Sequence, residues 1–204
     1  MRLISTLLTV LLLAAVVYVG HQTATSAAPS QPAATGDHRL AESMQAKLDH
    51  IRSNGELTHP DQTPTIMTEE EVNDYLNSGK VQLPQGVKRV ALQGRTGLVT
   101  GFVNVDFDEI RAGQHSSNPL LSIFSGRHDV RVDGDAAGSG GQGKVHVKTV
   151  SIDGFDVPRV ALEYFVQKYI TPKYPNVGMD SEFKLPNRID LATVGSHKLT
   201  VTQK

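Results

Sequence analysis

From Leu83 onward, apolar residues recur with a period of two, and this limits the fold more than any other feature of the chain. That period puts alternate side chains on opposite faces of a strand, so such a run cannot bury a single stripe as a helix does. "GVKRVALQG" and "TGLVTGFVNVDFDEI" alternate in this way, joined by the turn residues Gln93 to Thr96. In the second run Val99, Val103, Val105 and Phe107 share one face, and Thr100, Asn104 and Asp106 the other. Gly101 leaves a gap on the apolar face, where a bulge or strong bend is expected. "RHDVRVDG" and "GKVHVKTVSIDG" continue the alternation: Val130, Val132, Val145 and Val147 against Arg131, Lys144, His146 and Lys148. An antiparallel sheet with one wet face follows. "SEFKLP", "RIDLATVG" and "HKLTVTQ" give three further strand candidates.

Two segments before the strands and one between them carry helical periodicity. In "HRLAESMQAKLDHIRSNG", Leu40, Met44, Leu48 and Ile51 form a narrow apolar stripe that ends near Gly55. "TEEEVNDYLNSG" opens with Thr68 and Glu71 at capping-box spacing, places three glutamates where the helix dipole favours them, and stops at Gly79. "DVPRVALEYFVQKYITP" reads as a helix over 158–171, with Leu162, Phe165, Val166, Tyr169 and Ile170 on one face. Val160, Ala161 and Tyr164 widen that face, and a helix apolar around most of its girth is expected to be enclosed. The predicted fold is α+β: a curved antiparallel sheet wrapped around this long apolar helix, preceded by short N-terminal helices.

Met1-Arg2 is followed by an apolar run from Leu3 to Val19, and no charge appears again before Asp37. This is the pattern of a secretory signal, and the run is also close to the length of a membrane anchor. Residues 1–28 are read as that signal or anchor, 29–37 as a linker, 38–65 as an N-terminal helix and linker, and 66–204 as the α+β domain. The expected location is extracytoplasmic, periplasmic or secreted, with a membrane contact through the N-terminal segment if it stays uncleaved. The chain has no cysteine, which excludes thiol catalysis, disulfides and cysteine-ligated zinc. With 20 Lys and Arg against 21 Asp and Glu, no electrostatic ground exists for a nucleic-acid partner.

"GDAAGSGGQGKVHV" contains Gly138, Gly140 and Gly143 at the spacing of a dinucleotide fingerprint, with Asp133 and Asp135 nearby. A fingerprint needs a helix directly after it, and here "KVHVKTVSI" is a strand. A calcium loop lacks its closing glutamate, so the stretch is read as a long hairpin tip rich in Gly and Ser. His128 and His146 on the flanking strands lack a third ligand, because Asp129 points to the opposite face. Asp106 and Asp108 read as a solvated strand end, and Ser116 beside His115 is no triad. No catalytic residue, metal or cofactor is expected.

The runs "TEEEVNDYL", "LPQGVKRVALQGRTGLVTGFVNVDF", "GKVHVKTVSIDGFDVPRVALEYFV" and "FKLPNRIDLATVG" together resemble bacterial envelope proteins of the tubular lipid-binding (TULIP-like) kind, over most of residues 66–202. The resemblance implies a long helix along a curved sheet with an interior open to lipid. The expected function is therefore a non-enzymatic envelope protein holding a lipid or other apolar ligand between sheet and helix. Val160, Tyr164, Phe165 and Tyr169 of the helix and Val103, Val105 and Phe107 of the sheet would line the groove. The alternative is a protein-interaction or assembly module with a closed core and an unidentified protein partner, meeting it through the strand face of Arg131, Lys144, His146 and Lys148.

Overall fold

The computed structural model describes residues 38–111, 124–172 and 174–204. An amphipathic helix α1 (His38–Glu56) precedes a short strand β1 (Thr65–Thr68) and helix α2 (Glu69–Asn77). Strands β2 (Val87–Arg95) and β3 (Leu98–Asp106) lead into a single turn α3 (Phe107–Ile110), then β4 (Arg127–Ser139), β5 (Gln142–Ile152) and β6 (Phe155–Asp156). Helix α4 (Arg159–Phe165) runs on as a π-helical turn (Val166–Ile170), and β7 (Asp180–Lys184), β8 (Ile189–Gly195) and β9 (Lys198–Gln203) complete the chain.

These strands form one nine-stranded antiparallel sheet with the path β1-β9-β8-β4-β3-β2, and β5 branches from β4 to carry β6 and β7. β4 makes the curl. Its first part pairs with β3 as far as Asp135 opposite Leu98, and then Ala137 and Gly138 pair with Thr193 and Ala192 of β8. A Cβ on Gly138 would lie 2.9 Å from Ala192 Cβ and Leu185 Cδ1, so only glycine admits that approach. The expected long glycine tip is instead regular strand up to a two-residue turn, Gly140 (φ 60°) and Gly141 (φ 75°). The fingerprint-like spacing thus has a packing origin, since a Cβ on Gly143 would meet the Phe183 ring at 2.5 Å. Gly101 stays in register between Leu92 and Val132, and Leu92 Cδ2 fills its place. The irregularities fall at Val87/Arg89, Asp133/Gly134 and Ile189/Leu191 rather than at Gly101.

The α+β expectation, a sheet wrapped around a long apolar helix, is not what forms. The molecule is mostly sheet, and none of the four α-helices among the described residues is long and apolar. The segment read as that helix has seven α-helical residues before it widens, with Thr171 N–H bonding to Val166 O at 2.8 Å. Pro172 follows directly; it has no N–H to donate to the carbonyl of Lys168, so the α-helical bond pattern cannot continue through it. The apolar sheet face is shared among the N-terminal helices and the short 159–170 segment, which supplies Ala161, Leu162, Phe165, Val166, Tyr169 and Ile170 to the core. Met44, Leu48 and Ile51 of α1 and Val72, Tyr75 and Leu76 of α2 belong to the same core cluster as the strand valines. That cluster is drawn entirely from residues between Met44 and Val201.

Two polar devices seat the helices. Glu71 closes the capping box with Thr68 and also accepts from Ser43 Oγ at 2.6 Å and Lys47 Nζ at 2.7 Å, tying α2 to α1. Along α2, Glu69, Asn73 and Asn77 face the free edge of β2. Asn73 bonds both the N–H and the C=O of Leu92, Asn77 does the same at Val90, and Glu69 Oε2 accepts from Gly94 N–H. Four residues of helix advance about 6 Å and two of strand about 6.6 Å, so the two spacings stay in step over three rungs. The side chains of α2 thus stand in for a missing neighbour strand.

Candidate functional site

The β5–β6 turn follows from sequence. Asp153 (φ 51°) and Gly154 (φ 85°) occupy the two left-handed positions of a tight hairpin, for which Asp-Gly is a preferred pair. Ile152 pairs with Phe155 and Ser151 with Asp156, and Pro158 then caps α4. The turn directs Phe155 outward, leaving it 80% exposed. Val160 and Tyr164 lie four residues apart on the outward stripe of α4 and are 64% and 40% exposed. From Asp153 to Val160 every residue except Val157 is exposed, so this end of the molecule presents apolar side chains with little cover.

Behind it lies an aromatic cluster. Phe165 stacks on Phe124 with centroids 4.2 Å apart, meets Phe107 edge-on at 5.6 Å and touches Tyr169 at 5.2 Å. Phe107, Phe165 and Tyr169 are buried, as are Val103 and Val105. The Tyr169 hydroxyl has no hydrogen-bond partner among the described residues. The seven expected groove residues therefore divide, five pointing into the core and Val160 and Tyr164 pointing out. Lys168 places its ammonium over both tyrosine rings, 5.9 Å from Tyr164 and 5.4 Å from Tyr169.

His128 joins these parts. Its Nδ1 meets Asp153 Oδ2 at 2.5 Å and its Nε2 meets Ser125 O at 2.7 Å, one residue beyond Phe124. Asp153 also accepts from Asp129 N–H, and its own N–H donates to Asp129 O. The Asp153 carboxylate raises the His128 pKa above the ordinary imidazole value, and the imidazole lowers that of Asp153 in return.

The outer face of the sheet carries charge in matched pairs. Asp133 accepts from Thr100, Arg131 and Thr149. Lys144 pairs with Glu182, His146 with Asp180 and Lys148 with Asp135. The four side chains expected to meet a partner, Arg131, Lys144, His146 and Lys148, are thus each paired within the sheet. Asp106 caps α3 by accepting from Glu109 N–H, and Asp108 pairs with Arg111. His115 and Ser116 lie outside the described residues. Among the described residues no group of three His, Asp or Glu is placed to hold a metal ion, and no helix is long and apolar enough to cross a membrane.

Sequence reading passed over Phe155 and the His128–Asp153 pair because it carried the strand through Gly154 and began the helix soon after. The Asp-Gly pair was the available signal: read as a hairpin turn, it places Phe155 opposite Ile152 on a two-residue strand. No protein-family model matches the chain, and neither a curated protein nor a solved structure matches it.

Proposed function

We propose that this chain is a non-enzymatic, extracytoplasmic envelope module that binds lipid at a bilayer surface through the end carrying Phe155, Val160 and Tyr164. The observation that carries the reading is Phe155, an aromatic side chain left 80% exposed beside a tight turn. Scattered exposed apolar residues are ordinary on a protein surface. Three within ten residues, on a hairpin and the helix it feeds, are better suited to an interface. Phe and Tyr bodies with a nearby lysine match the mixed polarity of a headgroup region. The apolar run Leu3–Val19 lies close in sequence to His38 and, if retained, would hold the domain near a bilayer.

Magnitudes set the strength. Full burial of such side chains is worth about 1.5–3 kcal/mol each, and Val160 and Tyr164 are only partly exposed to begin with. A total near 5 kcal/mol corresponds to a dissociation constant of order 0.1–1 mM, so docking alone is weak and a tether would have to supply local concentration. The test is co-sedimentation of residues 38–204, which hold the whole core cluster, with millimolar phospholipid vesicles. Binding that falls at least fivefold for Phe155→Asp, at unchanged stability, supports the reading. Equal binding by wild type and variant, or none by either, rejects it.

Ile66 and Leu191 are also exposed, on a part of the sheet face shared with Thr193 and Thr200, and this favours a second reading: assembly with another copy of the chain. Concentration-dependent dimerisation abolished by Leu191→Asp, without lipid binding, would put assembly in its place.

A further inference from the structure

We infer that His128 is a proton-operated latch that fixes the 152–155 turn, and with it Phe155, in acid and releases it when the imidazole becomes neutral. The inference rests on the lipid-docking reading only for its purpose; the latch itself stands on geometry. Both partners of the ring, the Asp153 carboxylate and the Ser125 carbonyl, are acceptors. Two acceptors at hydrogen-bond distance require a proton on each ring nitrogen, and only the imidazolium carries both. A neutral ring keeps one bond and turns a bare lone pair on the other acceptor.

The surroundings fix the direction. Asp153 and Asp129 are the acids that act on His128 from the turn and from β4. Asn104 of β3 spends its amide on Asp129, and Arg127 lies 3.5 Å from Asp106. From α3 the Phe107 ring packs 6.2 Å from the imidazole, and Asp108 there is held by Arg111. On α4, Arg159 pairs with Glu163. The nearest charges are thus carboxylates, which favour the protonated ring. Losing the proton breaks one of the ring's two bonds, so His128 no longer holds both the turn, through Asp153, and the chain before β4, through Ser125.

The ring reaches further than the turn. Its bond to Ser125 holds the residue after Phe124, whose ring stacks on Phe165 of α4. One titration thus bears both on the turn that carries Phe155 and on the packing beneath the helix that carries Val160 and Tyr164. Acid makes the docking end rigid, and neutralisation of His128 loosens it.

The test is amide hydrogen exchange of residues 38–204 across pH in the absence of lipid, with the imidazole followed by NMR in parallel. Asp129 N–H and Asp153 N–H report the latch, since both bonds close the turn. After correction for intrinsic base catalysis, their protection should drop about tenfold as pH rises through the His128 titration. In Asp153→Asn the step should vanish and the His128 midpoint should move down towards that of an ordinary imidazole. His128→Gln should show no step while the core amides keep their protection. Protection independent of pH in wild type, or a step that persists in His128→Gln, would overturn the latch. Vesicle binding at acid and neutral pH separates the two ideas: a latch step without lipid binding leaves the latch standing and removes the docking reading.

Discussion

Glu71 performs three tasks with one carboxylate: it closes the capping box of α2, accepts from Ser43 and pairs with Lys47. Burial alone would raise its pKa, but the bonds from Lys47, Ser43 and the Thr68 amide more than offset this and hold it below the usual range. A lowered carboxylate contributes stability that is present above the ordinary glutamate pKa and is lost as pH falls through the lowered value. Glu71→Gln keeps the capping geometry and removes the charge, so it should cost about 1–3 kcal/mol in urea unfolding at pH 7. The gap between variant and wild type should close in acid; a gap unchanged at pH 3 would contradict this account. Half of the arrangement was legible, because Thr-x-x-Glu before an apolar run announces a capping box. Ser43 and Lys47 lie 28 and 24 residues away, and no local pattern links them to it. The Asp153–His128 pair was hidden likewise, as a strand histidine has no local reason to meet a turn aspartate.

Among the elements, α2 and β2 form the least expected pairing. Replacing Asn73 with Ala leaves Leu92 with an unpartnered N–H and C=O on an edge that no strand covers. The expected cost is about 1–3 kcal/mol, with self-association of the exposed edge visible by light scattering. A loss under 0.5 kcal/mol with no association would show that the side-chain ladder contributes nothing. Strands were the most legible elements, since period two survives wherever one face is buried and the other wet. β1 and β6 were missed because four and two residues cannot display a period. The helix expected over 158–171 misled for a different reason. Its wide apolar girth reads as enclosure, yet Val160 and Tyr164 are apolar on the outside, and the last turn is π-helical. Breadth of an apolar face measures contact only when every residue on it is covered.

Taken whole, the molecule is a curled sheet whose path from β1 to β2 is closed by α2, with one continuous core and with Phe155, Val160 and Tyr164 uncovered at one end. Because Phe155 is exposed, Phe155→Asp should leave urea stability within about 0.5 kcal/mol of wild type while weakening vesicle binding. The chain contains no tryptophan, so Phe155→Trp introduces a sole indole at the proposed contact point. Its emission, recorded on residues 38–204 with vesicles bearing brominated acyl chains, tests lipid docking most directly. Docking predicts a blue shift on adding lipid and quenching by bromines placed near the headgroups. A water-like spectrum, unshifted and unquenched at saturating lipid, would contradict it.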